Sequence, residues 1–379
     1  MPHPDKSNVE LHRGLKDVYI DKTDISDLRT DELGLLYRGY PISCVAQTSY
    51  EQTIYLLLYG RFPTTEECEK LKQQLLEYQA LPDEIIDLIE RLKNSHPLVV
   101  LRTVMSALVA YSPQALNSED SPEIAIARSL YALSVAASTI TTHHALRNGK
   151  NSPPPDPTLP HAANFLYRLT GVKPSPEEIK IIDKSFILLA EHGSNASTFT
   201  ARVTTSTGAD FYASMTAALA SLGGSLHGGA MGEVVEMLEE IDYSSDIFAQ
   251  LKQRRKRGKR ISGFGHRIYK KVDPRASHLK VYAQRLAQMK GSDLFTKAEA
   301  VEGAMAPYQR LGVNVNVDFY LSIVYFLLEI PADTITITAG LSRMLGWAAH
   351  IIEQKQNNIL IRPSLVYTGE IFEDCASTP

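Results

Sequence analysis

Four short segments of this 379-residue chain place reactive side chains beside glycine or at a predicted helix end. The densest is Gly263-Phe264-Gly265-His266-Arg267-Ile268-Tyr269-Lys270-Lys271-Val272-Asp273-Pro274-Arg275. Its glycines let the backbone approach a ligand closely. Its histidine can donate a hydrogen bond or move a proton near neutral pH, and its arginines and lysines recognise carboxylates and phosphates. That combination suits an anionic substrate that also needs acid–base chemistry. The second segment is Glu191-His192-Gly193-Ser194-Asn195, just after an apolar helix. In the third, Gly223-Gly224-Ser225-Leu226-His227-Gly228-Gly229-Ala230, the histidine sits between glycines and ahead of a helix predicted over 231–241. A helix N-terminus there offers free N–H groups and a positive potential that keeps the imidazole neutral, which suits a donor to a developing oxyanion. The fourth is Asn314-Val315-Asn316-Val317-Asp318-Phe319, where one acid stands alone among apolar neighbours. Such a carboxylate tends to have a raised pKa and can act as a general base.

Each segment alone has a plainer reading. A histidine at a helix end is more often a cap or a packed polar group. Asp318 could cap a helix beginning at Phe319, Gly-Gly pairs are mostly turns, and Asp273-Pro274 makes a good turn with no function required. His143-His144 and His350 read as structural. No group of His, Cys or acids has metal-ligand spacing, and no Walker-type or dinucleotide glycine pattern is present. The run Leu251–Arg260 holds seven cations in ten residues. It reads either as a solvated helix face or as a ligand for a nucleotide-like phosphate, since it leads into the His266 loop. Aromatic residues for base stacking are absent from it, and the net charge is −4, so nucleic acid is disfavoured as a partner.

The elements that must hold these segments are mostly helical. Apolar periodicity and start signals predict helices after Tyr50, after Pro63-Thr64-Thr65, and over 83–93, 97–111, 123–147, 161–170, 176–191, 211–222, 276–290, 293–311, 318–329 and 340–355. Residues 11–42 look irregular or β-like, with short apolar runs at Val18-Tyr19-Ile20 and Leu35-Leu36-Tyr37. Asn151–Pro160, with five prolines in ten residues, is a stiff surface connection. The length points to two domains or one with an insertion. Three scattered cysteines (Cys44, Cys68 and Cys375) imply neither a disulfide framework nor a zinc site, and a reducing cytoplasm is the simpler setting. Met1–Lys16 lacks the apolar core of a signal peptide. The most apolar segment, Pro97–Tyr111, is too short to cross a bilayer, so no membrane association is expected.

Taken together, the segments resemble the citrate synthase family over about residues 12–371. The residues that carry the likeness include Leu35-Leu36-Tyr37-Arg38-Gly39-Tyr40, Glu191-His192 with Asn195-Ala196-Ser197-Thr198-Phe199, and Leu226-His227-Gly228-Gly229-Ala230. They continue with the His266 segment, Asn316-Val317-Asp318-Phe319-Tyr320, Ser342-Arg343 and Ile361-Arg362-Pro363-Ser364. The resemblance implies a mainly α, two-domain helical fold. Residues 1–228 and 329–379 would form a large domain and 229–328 a small inserted one, with the substrate cleft between them. It implies a homodimer that condenses oxaloacetate with an acyl-CoA and hydrolyses the thioester, with no cofactor, acyl-CoA being a substrate. By resemblance Asp318 removes the α-proton, His227 hydrogen-bonds the thioester oxygen and His266 polarises the keto carbonyl. His192, His266, Arg275, Arg343 and Arg362 hold oxaloacetate, Arg362 reaching across from the partner. Lys270 matches a CoA-phosphate contact, with Arg260, Gly263, Phe264 and Gly265 as further CoA candidates.

The departures from the family pattern are Val315, Met231, Leu321-Ser322 and Thr334–Thr338. None removes a catalytic group, and the last three bear on the acyl pocket. Acetyl-CoA is the first expectation. The Ala348–Gln354 and Glu191–Thr200 stretches also look like 2-methylcitrate synthases, which use propionyl-CoA. Readings from other classes are a non-catalytic polyanion-binding protein built on 252–260, and a citryl-CoA lyase module needing a partner chain.

Overall fold

Helix starts are written into the chain by short polar residues. Ser49, Thr64 and Ser175 each accept a hydrogen bond from the backbone three residues on, where Gln52, Glu67 and Glu178 reach back in reciprocal capping boxes. The computed structural model describes residues 10–15, 17–29, 31, 33–113, 116, 121–228 and 232–369. The extreme N-terminus to Val9, Lys16, the segment Gly229-Ala230-Met231 with its expected domain boundary, and Cys375 lie outside them.

The core is built around two long helices. Pro122–Arg147 and Ile335–Gln356 are apolar on nearly every face, so both must be enclosed. Around them pack Tyr50–Tyr59, Pro97–Tyr111, His161–Thr170, Pro176–Leu189, Ala196–Ser206 and Phe211–Leu222. Pro122–Arg147 is long and apolar enough to cross a bilayer, but 83% of its apolar window lies inside the fold, as befits a core helix. A second group of helices, Glu233–Glu240, Ile247–Lys256, Pro274–Lys290, Leu294–Ala304 and Val317–Leu327, packs mainly on itself. It joins the first where Pro274–Lys290 meets Pro176–Leu189 and where Val317–Leu327 meets Ile335–Gln356.

The described strands form one small antiparallel sheet, Ser26–Leu28, Leu35–Tyr37 and Tyr40–Pro41, in register Ser26 to Tyr37 and Leu36 to Pro41. The run Val18-Tyr19-Ile20 is not a strand; Tyr19 is 96% exposed and buries nothing against a neighbour. Three helices also differ from the sequence reading. Ala196–Ser206 is a helix despite its threonines, capped by the Asn195 side chain. The helix expected over 293–311 is divided at Met305, just before Pro307. The helix expected from 340 starts at Ile335, where tertiary burial overrides the β-like Thr-Ile-Thr-Ile-Thr alternation.

Candidate active site

His192 owes its position to the end of Pro176–Leu189. The chain turns out of that helix at Ala190, and the buried helix-end peptide is taken up by Tyr37 of the sheet. The buried Tyr37 hydroxyl donates to the Glu191 carbonyl (2.9 Å) and accepts from the Glu191 N–H (3.1 Å). From the other side, Gly346 N–H donates to the Ala190 carbonyl at 3.1 Å. A Cβ at position 346 would fall on that oxygen and on the Glu191 carboxylate, so only glycine lets the helix come this close. His192 is buried and its Nε2 has no partner. Burial, then the Arg275 and Arg343 guanidiniums, hold its pKa well below the usual value.

The His266 ring stands edge-on to His192, with ring centres 5.1 Å apart, and stacks on Tyr269 at 4.8 Å. Its Nδ1 accepts the backbone N–H groups of Ile268 and Tyr269, each at 3.1 Å. The ring proton of the neutral imidazole therefore sits on Nε2, which makes that nitrogen a donor. Burial, with Arg275 next, pushes the His266 pKa down to about 4, so the ring is neutral at pH 7.

Asp273 is more than a turn residue. Its Oδ1 caps Pro274–Lys290 by accepting from Arg275 N–H (3.0 Å), and its two oxygens clasp the Arg275 guanidinium at 3.0 and 2.8 Å. Burial pushes this carboxyl up, but Arg275 outweighs it and holds it below its usual range. Ligand atoms of His192, His266 and Asp273 lie within 4.8 Å of one another. A cation would find Asp273 already taken by a guanidinium, which is the wrong donor set for a metal. Arg343 extends from Ile335–Gln356 and donates through Nε to the Leu189 carbonyl at 2.7 Å.

Asp318 is not the cap of its helix. Asn316 caps Val317–Leu327 by accepting the Asp318 N–H at 3.0 Å, which leaves the Asp318 carboxylate free. Burial raises it to about 6, against the opposing pull of Arg275 and Arg343. The His266 loop holds this helix start in place through a short ladder. Gly265 N–H donates to the Asn314 carbonyl (2.7 Å), Asn316 N–H to the Gly263 carbonyl (2.9 Å), and Asn316 Nδ2 to the Gly265 carbonyl (2.9 Å). Phe264 pairs with Val315 and packs its ring on Phe319 at 4.9 Å. Gly263 adopts φ +86°, and a Cβ there would lie 2.6 Å from the Phe319 Cβ. Gly263→Ala is therefore expected to destabilise the fold by about 2 kcal/mol or more, read as a lower urea midpoint. It should also depress turnover, because Phe319 is the neighbour of Asp318.

His227 lies in the turn after Phe211–Leu222, its N–H donating to the Gly224 carbonyl at 2.9 Å. The next described helix starts at Glu233, two residues later than expected. Burial, followed by Arg343, pushes the His227 pKa to about 4. Its Nε2 is 2.8 Å from Ser197 Oγ, which also accepts the Trp347 indole N–H (3.1 Å) and lies 2.9 Å from Asn195 Oδ1.

Arg275 and Arg343 thus tie His192, His227, His266 and Asp318 into one electrostatic neighbourhood. Arg260 donates to the Ser225 carbonyl (3.1 Å), placing its guanidinium beside the His227 turn, while Lys270 is exposed. Of the basic run, Arg254 and Lys259 pair with Glu240. Arg362 is exposed in the extended tail after Ile335–Gln356, and among the described residues no hydrogen bond joins it to the cleft. Sequence reasoning did not find Asp273 as the clasp of Arg275, Ser197 and Trp347 behind His227, or Glu191 and His350. Only the single tryptophan of the chain was an available signal.

The family model for the citrate synthase C-terminal domain matches residues 14–364. A citrate synthase of Haloferax volcanii is 37% identical over 98% of this chain and 98% of its own length. A citrate/2-methylcitrate synthase of Bacillus subtilis is 38% identical over 95% of this chain and 97% of its own. A citrate synthase of Thermoplasma acidophilum, solved as a ternary complex with carboxymethyl coenzyme A and oxaloacetate, superposes with a TM-score of 0.88. It shares 30% identity over 96% of this chain and 98% of that one. With the helical architecture and the matched site segments, these likenesses place the chain in the citrate synthase family of acyltransferases.

Proposed function

We propose that the cleft condenses oxaloacetate with acetyl-CoA and water to give citrate and CoA. The observation that carries this reading is one neighbourhood holding two guanidiniums, two neutral imidazoles with nitrogens free for a ligand, and a carboxylate raised to about 6. Arg275 and Arg343 take the oxaloacetate carboxylates, with Arg362 of the partner subunit completing the set. His192 and the Nε2–H of His266 hold the keto oxygen. Asp318 takes a proton from the thioester methyl group while His227 hydrogen-bonds the thioester oxygen. The enolate carbon then bonds to the keto carbon, the electron pair of the broken C=O π bond moves to the oxygen beside His266, and that oxygen takes up a proton, which balances the one Asp318 removed and later gives back. Water attacks the thioester carbon and CoA leaves as the thiol.

The His227 donor requires its proton on Nδ1, for which Ser197 must turn its hydroxyl proton from Asn195 Oδ1 to His227 Nε2. Lys270 and Arg260 meet the CoA phosphates, and Gly263, Phe264 and Gly265 line the approach. No cofactor enters this chemistry. Residues 1–228 with 329–379 act as the large domain of a homodimer, and 229–328 closes over the ligands as the small one. Closure would move Arg275, His266 and Asp318, carried by one group of helices, toward His192 and Arg343, carried by the other. A cytoplasmic setting suits the free thiols of Cys44 and Cys68.

A propionyl-CoA preference is the second reading. Thr336, inside the departing Thr334–Thr338 stretch, donates to the Gly228 carbonyl next to His227 (3.1 Å), so that stretch touches the acyl end of the cleft. One methylene there is worth about 1–3 kcal/mol. We expect kcat/KM with oxaloacetate to be higher for acetyl-CoA than for propionyl-CoA. The reverse order would make the enzyme a 2-methylcitrate synthase.

A further inference from the structure

We infer that Arg202 and His350 form a positioning relay that acts through Glu191 on the two large-domain ligands of oxaloacetate, His192 and Arg343. The inference rests on the reading of those two residues as keto-acid ligands. The Glu191 and His350 side chains are 0% and 1% exposed, and His350 Nε2 lies 3.2 Å from Glu191 Oε1. Arg202 donates through Nη1 to His350 Nδ1 at 3.0 Å. A guanidinium has donors only, so Nδ1 must present its lone pair and the ring proton must sit on Nε2, directed at Glu191. The order is fixed: Arg202 donates to His350, and His350 donates to Glu191. Arg202 is itself held by Glu353 at 2.7 Å.

Glu191 Oε1 also accepts from Ser26 Oγ (2.9 Å) and from the N–H of Gly193, so one oxygen gathers donors from the sheet, from Ile335–Gln356 and from the backbone just past His192. Its Oε2 is buried without a partner, in the space that Gly346 leaves open. Arg343, Gly346 and His350 recur at three- and four-residue spacing, so one face of Ile335–Gln356 presents the ligand, the gap and the relay in turn. A buried ionic network is a poor means of gaining stability alone. This one ends one residue from His192, and its carboxylate is the nearby counter-charge of Arg343.

The charged and titratable groups facing Glu191 are Arg343 and His350 from that helix, with Arg38 and Tyr37 from the sheet side. Burial pushes the Glu191 carboxyl up, but His350 and Arg343 hold it below its usual range. Removing the His350 donor should let it rise, so that it protonates at higher pH in the folded enzyme.

The test uses the full-length chain. His350→Leu should raise KM for oxaloacetate by roughly 10-fold or more while KM for acetyl-CoA changes less than about 2-fold. The acid limb of kcat/KM for oxaloacetate should move to higher pH. His350→Gln keeps a donor for Glu191 and an acceptor for Arg202, and should restore both readouts to within about 3-fold. A wild-type KM and pH profile in His350→Leu overturns the relay. So does a folded His350→Gln no better than His350→Leu. Should His350→Leu not fold, the isosteric Glu191→Gln must raise KM for oxaloacetate by a similar factor, and an unchanged KM overturns the proposal. Arg343→Leu, run in parallel, separates the two levels. If oxaloacetate still binds that variant normally, the keto-acid reading fails and takes the relay with it. If binding is lost there but kept in His350→Leu, the relay alone fails.

Discussion

Asp318→Asn is expected to lower kcat by about 10²–10⁴-fold while oxaloacetate still binds with near-normal affinity. The side chain keeps its shape and its place beside Asn316, but an amide cannot accept the α-proton. The ligands assigned to oxaloacetate, His192, His266, Arg275 and Arg343, are untouched. Turnover assays paired with a binding titration for oxaloacetate would check this, and near-normal kcat would remove Asp318 from the mechanism. The raised pKa of about 6 adds two further expectations. In the native enzyme the base must be ionised, so kcat/KM for the thioester should fall as pH drops through that value, and Asp318→Asn should lose this limb.

For stability the sign is opposite. A carboxyl whose folded pKa lies above its unfolded one binds more protons when folded, so its ionisation disfavours the fold. That penalty is absent below pH 3.8, grows as pH rises, and is complete above about 6. Asn carries no such penalty, so the variant should be more stable at pH 7.5 by on the order of 2–3 kcal/mol, a gain that shrinks toward pH 4. Opposite changes in stability and turnover would mark Asp318 as a group kept for chemistry rather than for the fold.

What was legible in the chain followed the range of the interactions concerned. Helix starts at Ser49, Thr64 and Ser175 could be read because cap and partner are three residues apart. Asp318 could be singled out because its apolar setting is local, and the order of the His192, His227, His266 and Arg343 segments disclosed the family. Ala196–Ser206 could not be read as a helix, since Ser-Thr-Phe-Thr-Ala-Arg-Val-Thr-Thr has weak local preference and is held by burial against Phe211–Leu222 and Ile335–Gln356. The same reasoning explains what was missed in the site. Ser197 and Trp347 are 150 residues apart, Glu191 and His350 are 159 apart, and Tyr37 and Glu191 are 154 apart. Such pairs leave no pattern in the chain, and His350 looked structural until the fold set it beside Glu191. The burial and the Arg343 charge that keep His227 neutral likewise exist only after folding.

That neutrality sharpens what should happen when His227 is removed. His227→Ala is expected to lower kcat by about 10²–10³-fold, the usual loss when one donor to a developing oxyanion is deleted. KM for oxaloacetate should stay nearly constant, because that substrate is held by other residues. With a pKa near 4, the ring is neutral throughout the range in which Asp318 is ionised. Its removal should therefore lower the whole pH profile without moving the limb near pH 6. A shifted limb would mean that His227 itself titrates in catalysis. Ser197→Ala gives the finer test. Ser197 has one proton and two acceptors, Asn195 Oδ1 at 2.9 Å and His227 Nε2 at 2.8 Å, with the Trp347 N–H already donated to it. If it gives that proton to His227, Nδ1–H is fixed as the donor to the thioester oxygen. Alanine then leaves the tautomer free and should cost about 10-fold in kcat, less than losing the ring. If Ser197 spends its proton on Asn195, the imidazole donates to Ser197 instead, Nδ1 is a lone pair facing an enolate, and Ser197→Ala should raise kcat. The direction of that single change decides which nitrogen of His227 carries the proton.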